Sequence, residues 1–457
     1  MAAKTSQPFL PLQPFIGGKY VEPRSKEKFT MRSTVDDTVI TDSLHNANAE
    51  DVEVAVQAAE KAFPSWSKFP AMWVDLACIE KVADRLLDYA GIIDKLQGES
   101  VASDDEGILR IIRQEPLGVC AAITAFNGPL GLFAFKAAPA LAAGNVMVVK
   151  ASETNPFSTL VAARLTTQAG IPPGVINVLV GGPEAGDALA RHMRIRKISF
   201  TGSGIVGKKI QAAAAQSNLK RVTLELGGKS PLIVFDDADL AQAIQGATVA
   251  LAGMNGQLCI MGSRIYVHEA VADKFVQGLK VAYEQMAATL GSDPLNKDTS
   301  TSPIFHHRQF QTVLNFLEKG KAEAELISGG SRHGDKGAYI KPTIFYNPKR
   351  DAEIVQNEIF GPVVVVQTFK DEEDVINQAN DTEYGLAAYL FTKNVDRAIR
   401  VSNQLEAGNV GVNTAADLIS WKTPFGGYKG SGIGQENGLY VMRHYTQPKT
   451  VTIKYQV

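Results

Sequence analysis

Apolar and polar positions along this chain follow two rhythms, one helical and one extended. In AEDVEVAVQAAEKAF (49–63), Val52, Ala55, Val56, Ala59 and Phe63 share one helical face, and Pro64 is expected to end the helix. From Pro116 onward, apolar runs and helix-like segments take turns: GVCAAITAF (118–126), FKAAPALAAG, VMVVK (146–150), STLVAARLTTQAG, VINVLVG (175–181), DALARHM, KISFTG (197–202), VGKKIQAAAAQ and VTLEL (222–226). Short apolar strands separated by helices of about ten residues predict right-handed crossovers and a parallel sheet covered on both faces. A second α/β unit is predicted from Ser230, through SRIYVHEAVADKFVQGLKVAYEQM, to the glycine-rich TPFGGYKGSGIGQENG (423–438). Two α/β units with a cleft between them are the expected architecture, and no internal repeat or low-complexity segment interrupts them.

Composition narrows the function more than the fold. A length of 457 residues suits about three domains of roughly 150 residues each, and 45% hydrophobic with 21% charged residues is a soluble globular balance. With 46 basic and 48 acidic side chains the formal charge is −2, which removes the electrostatic case for nucleic acid or an anionic membrane as main partner. The opening MAAKTSQPFLPLQPFIGGKY is broken by prolines and holds no signal peptide or membrane helix, so a cytoplasmic protein is expected. Cys78, Cys120 and Cys259 are odd in number and show no paired spacing, the mark of reduced thiols rather than disulfides or a zinc cluster. Cys78 and Cys120 sit in apolar patterns and are assigned to core packing. The histidines are scattered, and His306 with His307 reads as a solvated helix start; no metal is expected.

Parallel sheets bind ligands beyond the carboxyl ends of their strands, so the residues at those ends carry the candidate chemistry. KISFTGSGIVGKKI contains G-x-G-x-x-G at Gly202, Gly204 and Gly207, where a strand turns into a helix whose N-terminal N–H groups could face a phosphate. The acidic partner at the template spacing is Glu225, which would then be a ribose ligand. The loop after VMVVK offers a different ribose partner, because Lys150, Ser152 and Glu153 leave the sheet together. In GMNGQLCIMGSR, Cys259 stands with no histidine near it in sequence, which leaves the partners of this thiol open at this point.

FNGP around Asn127, KASE from Lys150 to Glu153, FTGS (200–203), ELGGKSP (225–231), GQLC ending at Cys259, EIFGP (358–362) and PFGGYKGSG (424–432) occur in that order. Together they resemble the aldehyde dehydrogenase superfamily, of the non-acylating, NAD(P)-dependent type, over nearly the whole chain. The resemblance implies an α/β fold: a Rossmann-like parallel-sheet cofactor domain (1–93 and 117–227), a second α/β catalytic domain (228–443), and a small β oligomerisation arm (94–116 and 444–457). Homodimers or homotetramers are its implied assembly.

Roles come with the resemblance as well. Cys259 would attack an aldehyde to give a thiohemiacetal, whose oxyanion Asn127 and the Cys259 backbone N–H would bind. After hydride loss a thioester would remain, and Glu225 would activate water to hydrolyse it. Implied cofactor-facing residues are Ile123, Thr124, Lys150, Ser152, Glu153, Gly182, Gly186, Phe200, Gly202, Ser203, Val206, Leu226, Gly227, Glu358 and Phe360. Among these, Glu153 would repel a 2′-phosphate and favours NAD, while Lys150 leaves NADP open. The substrate tunnel would be lined by Gly128, Phe135, Leu258, Ile260, Leu418 and Trp421.

The chain also departs from the family pattern. Gly128 stands where many relatives carry an aromatic, Phe135 where tryptophan is common, and Gln435 where arginine is frequent. Between EKVADRLLD (80–88) and YAGIIDKLQGE (89–99), relatives have further helical turns; here the segments abut at Asp88 and Tyr89. A wider tunnel mouth that admits bulky, aromatic aldehydes is the expectation. One alternative is a catalytically impaired binding protein that kept the site and lost the tunnel; another is a CoA-acylating dehydrogenase, in which Glu225 would be superfluous.

Overall fold

The computed structural model describes residues 10–68, 88–101, 107–293, 296, 298–415 and 418–456; Cys78 and all of the segment 80–88 except Asp88 lie outside the described residues. The alternation beginning at Pro116 builds an eight-stranded sheet. Its spatial order is Gly432–Ile433, Arg221–Glu225, Lys197–Thr201, Val119–Ile123, Val146–Ala151, Ile176–Val180, Phe15–Ile16, Lys19–Tyr20. From Arg221–Glu225 to Ile176–Val180 the strands are parallel. They are buried almost throughout, which is why they read as unbroken apolar runs rather than alternating ones.

The predicted connecting helices form at Pro129–Ala142, Phe157–Gln168, Pro183–Arg191 and Gly204–Gln216. Helix Ala49–Trp66 packs on Val146–Ala151 and Ile176–Val180. It opens with a reciprocal capping box between Asn48 and Asp51. Contrary to expectation the helix does not stop before Pro64. Pro64 lies inside its last turn, and burial of Trp66 in the first core anchors the extra residues against the hydrogen bond that proline forfeits.

A seven-stranded sheet follows the order Glu325–Ser328, Thr343–Tyr346, Val363–Phe369, Gly262–His268, Ser230–Val234, Ala387–Phe391, Asn409–Val412. Its pairings are parallel apart from the antiparallel edge strand Glu325–Ser328. The sequence alternation in ILRIIRQ and TVTIKYQV appears as a small antiparallel sheet, in which Thr446–Lys454 and Glu99–Val101 flank Ile108–Pro116. Val101, Leu109 and Ile453 on it are exposed. No helix among the described residues is long and apolar enough to cross a membrane.

The two large sheets meet through the chain's return. Gly432–Ile433 adds an edge to the first sheet beside Arg221–Glu225. Just before it, buried Ser431 ties together segments from both sheets. Its carbonyl accepts the Leu226 N–H at 2.8 Å, its hydroxyl donates to the Gly227 carbonyl at 2.7 Å, and the same oxygen accepts the Gly385 N–H at 2.9 Å. Replacing Ser431 by Ala leaves the Gly227 carbonyl and the Gly385 N–H buried without partners. The expected cost is about 1–3 kcal/mol in chemical denaturation, and a change near zero would mean that this junction carries no stability.

Candidate active site

Register aligns the carboxyl ends of the first sheet: Phe200 pairs with Ile123, Ile123 with Lys150, and Lys150 with Leu179. Val119–Ile123 and Lys197–Thr201 are neighbours whose next strands lie on opposite sides, and this switch point is where an open α/β sheet leaves a crevice. Thr124, just past it, has a buried hydroxyl with no partner. Ser203 is the N-cap of helix Gly204–Gln216, yet its hydroxyl makes no capping bond, so the first-turn N–H groups are not capped by it. Beside them Ile205 and Val206 are exposed, Ile205 by 73%, an apolar surface at the crevice mouth. A side chain at Gly202 would strike the Phe200 ring at 2.4 Å, whereas one at Gly186 would meet Ile123 at an ordinary 3.8 Å. Gly182 caps helix Pro183–Arg191, and its N–H donates to the Asn46 amide oxygen at 3.1 Å.

Lys150 is buried, and its ammonium donates to the carbonyls of Gly181 and Ala151 and lies 3.5 Å from the half-buried Glu153 carboxylate. Burial lowers its pKa, and Glu153 opposes that shift. Ser152 bonds Thr154 at 2.9 Å. The predicted cation and carboxylate therefore do emerge together at the carboxyl edge. Unpartnered donors, an uncapped helix start and an apolar shelf on one edge are what the phosphates and the base of a dinucleotide require.

Cys259 is placed by a loop of unusual backbone. Met254 and Asn255 both have φ of 53° and Gly256 has φ of 73°, three successive left-handed residues. A side chain at Gly256 would collide with the Gly361 carbonyl at 2.3 Å. Gln257 locks the turn, its amide donating to the Met254 carbonyl at 3.0 Å and accepting the Phe305 N–H at 3.0 Å. Its backbone carbonyl accepts from the Asn127 side chain at 2.9 Å, so Asn127 is oriented by the loop that carries the thiol.

The glycines of ELGGKSP have a steric reason. At Gly228 a Cβ would sit 2.2 Å from the Cys259 carbonyl, and at Gly227 it would sit 2.3 Å from the Glu358 carboxylate. Glu358 in turn accepts the Gly228 N–H at 3.0 Å. Three motifs far apart in sequence thus close on one point.

The Cys259 thiol is partly exposed but crowded by protein, and its pKa is pushed up to about 12, first by burial and then by the charges of Glu358 and Glu225. The N–H groups of Cys259 and Ile260 face the sulfur and oppose this shift. Burial likewise raises Glu358 to about 7. Glu225 is 4% exposed, and neither of its carboxylate oxygens has a partner. Burial and then the charge of Glu436 raise its pKa well above the carboxylate range, against the pull of Lys136.

Lys136 and Glu436 escaped the sequence reading. They form a buried ion pair, with Ser199 bonded to both at 3.0 Å. A lone lysine inside the apolar helix PLGLFAFKAAPALA was the available signal, since such a charge is buried only with a partner. His306 does begin a helix, but it is not freely solvated, because its ring stands edge-on to Phe126 at 4.9 Å. Among the described residues no cluster of three or more His, Cys, Asp or Glu could hold a metal.

On the other side of Asn127, a Cβ at Gly128 would meet only Leu132, at 3.9 Å, so the position opens into space. Phe135 packs with tilted rings against Trp421 at 5.0 Å and Phe425 at 6.5 Å. Leu258 and Leu418 are partly buried against the second core. Ile260 is buried against that core, and the Tyr389 hydroxyl donates to its carbonyl at 2.6 Å. It begins the turn into strand Gly262–His268, and the core claims its side chain.

The model of the aldehyde dehydrogenase family matches residues 74–451. An aldehyde dehydrogenase of Emericella nidulans is 43% identical over 477 residues, covering 96% of this chain and 95% of the relative. A cytosolic aldehyde dehydrogenase of Mus musculus is 40% identical, covering 96% and 94%. The 477-residue alignment is longer than the 457-residue chain, so the fungal relative carries positions that this chain lacks. Among solved structures, the indole-3-acetaldehyde dehydrogenase AldA of P. syringae, in complex with NAD+ and IAA, superposes with a TM-score of 0.92 at 35% identity, covering 98% of this chain and 97% of that one. A betaine aldehyde dehydrogenase of Staphylococcus aureus in complex with NAD+ gives 0.92 at 32% identity, covering 98% and 95%. With its motifs drawn together around one thiol and matches of this extent, the chain belongs to the aldehyde dehydrogenase family of NAD(P)+-dependent oxidoreductases.

Proposed function

We propose that the protein oxidises an aldehyde to the carboxylic acid with NAD+ and water, using Cys259 as nucleophile, Asn127 as oxyanion donor and Glu225 as general base. The observation that carries this reading is the convergence of the Asn127 amide, the Cys259 loop and an unpartnered, buried Glu225 at the junction of the two sheets. That NAD+ is bound by two similar structures supports the choice of cofactor. Lys150, Ser152 and Glu153 would hold its adenine ribose, Ser203 with the first turn of Gly204–Gln216 its pyrophosphate, and Glu358 with Phe360 the nicotinamide ribose. Residues 1–93 and 117–227 would form the cofactor-binding part and 228–443 the catalytic part, although Val441 and Met442 pack in the first core.

With a pKa near 12, Cys259 rests as a thiol, and it gives up its proton to water at its partly exposed edge before it attacks. The carbonyl oxygen that becomes negative is taken by the remaining Asn127 amide proton and the Cys259 N–H. Losing one such donor costs about 3 kcal/mol of transition-state stabilisation. The chemistry NAD+ supplies when bound is that of hydride acceptor, and a thioester on Cys259 is what hydride loss leaves. Glu225, unpaired and desolvated, has the affinity for a proton that activation of water requires. The same base supports hydrolysis over transfer to CoA, and the ordered site supports an enzyme over an impaired binding protein.

The open space at Gly128 and the aromatic pair Phe135–Trp421 support aldehydes with bulky or aromatic groups as substrates. Gly128→Phe is expected to cut kcat/KM for an aromatic aldehyde about tenfold or more and to leave acetaldehyde nearly unchanged. Equal losses on both would argue against this specificity.

Only the carboxylate form of Glu225 can accept a proton, and its pKa is raised, so hydrolysis should slow as pH falls through a value well above the usual carboxylate range. Wild-type turnover is expected to climb with pH above about 5. Glu225→Gln should lower kcat about 100-fold or more while keeping one rapid equivalent of NADH per site. A wild-type profile flat above about pH 5, or full turnover in the variant, would remove Glu225 from this role.

A further inference from the structure

Phe360 is an aromatic residue in the left-handed region, with φ of 54°. Such a conformation is costly and persists where the surroundings over-determine it. Here the surroundings can be named. The side-chain amide of Gln309 donates to the Ile359 carbonyl at 2.9 Å and to the Phe360 carbonyl at 3.0 Å, so one NH2 group bridges the carbonyls on both sides of the strained Cα.

Gln309 is itself held. It lies in the first turn of helix His307–Glu323, where its backbone N–H donates to His306 Nδ1 at 3.1 Å. That nitrogen must be unprotonated to accept, which leaves the proton of the neutral ring on Nε2. The His306 ring stands edge-on to Phe126, and Phe126 stands edge-on to Phe360 at 5.8 Å. The helix start, the segment before Asn127 and the strained turn therefore form one packed unit. After Phe360, Gly361 packs against Val313 so closely that a Cβ there would meet its side chain at 2.6 Å. Before it, Glu358 is fixed on the Gly228 N–H.

We propose that Gln309 is a positioning residue: it holds Phe360 in the left-handed turn and so directs the Phe360 ring and the Glu358 carboxylate toward the cofactor crevice. Nothing in the motif pattern of the sequence singled it out, since its role depends on a contact across about fifty positions of chain. The consequence for NAD+ rests on the functional reading above; the conformational claim does not.

Gln309→Leu keeps the bulk and removes both donors. Three outcomes are expected: a negative φ at Phe360 in a crystal structure of the variant, a Kd for NAD+ about tenfold higher by fluorescence titration, and a Tm within a few degrees of wild type. Phe360→Gly relieves the strain, because glycine adopts positive φ freely. In that background Gln309→Leu should raise the Kd less than about threefold. Retention of a left-handed Phe360 in Gln309→Leu would overturn the proposal. So would an equal rise in Kd in both backgrounds, which would make Gln309 a direct cofactor contact. If Gln309→Leu does not fold, Gln309→Asn, too short to span both carbonyls, takes its place in each measurement. Failure of the wild type to bind NAD+ would count against the functional reading, while the φ of Phe360 still decides the role of Gln309.

Discussion

Backbone approaches closer than any side chain permits hold this site together. Gly228 lies against the Cys259 carbonyl and Gly227 against the Glu358 carboxylate, at positions where a methyl group would sit within 2.3 Å of its neighbour. The Gly228 N–H then closes the contact by donating to Glu358. These two residues also lie at the centre of the link between strand Arg221–Glu225 of one sheet and Ser230–Val234 of the other. Glu225 at the end of that first strand, the thiol loop and the Glu358 turn are consequently set by the same few ångströms of backbone. Ser431 adds the third strut.

The electrostatics follow from that crowding. Desolvation is the largest influence on Cys259, Glu225 and Glu358 alike, and each is driven toward its neutral form. For Glu225 the sign is unfavourable to the fold at neutral pH. Its native pKa exceeds its unfolded value, so its contribution to stability is greatest in acid and declines as pH rises through the raised pKa. A buried carboxyl without partners is a cost that packing alone would not retain, and it is the state a water-activating base needs. The neighbouring Lys136–Glu436 pair is buried but satisfied, and it modulates Glu225 from both signs.

Much of this was legible in the chain, and the reasons differ by element. The apolar runs after Pro116 marked the parallel strands because both faces of that sheet are covered, so no polar alternation blurred them. Pro64 misled, because the end of a helix is decided by what its last turn buries, here Trp66. Spacing alone made Glu225 a candidate ribose ligand; the structure puts it under the sheet junction with its carboxylate unpaired, close enough for its charge to act on the Cys259 thiol. Gln309, Lys136 and Glu436 act through partners distant in sequence, and no local pattern encodes such contacts.

The central claim is that Cys259 carries the substrate as a thioester awaiting a base. Intact-protein and peptide mass spectrometry of Glu225→Gln, mixed with NAD+ and an aromatic aldehyde and quenched in acid, tests it directly. The account predicts one acyl group per chain, located on the peptide containing Cys259 and absent without NAD+. An unmodified Cys259 alongside NADH production, or an acyl group on another residue, would contradict it.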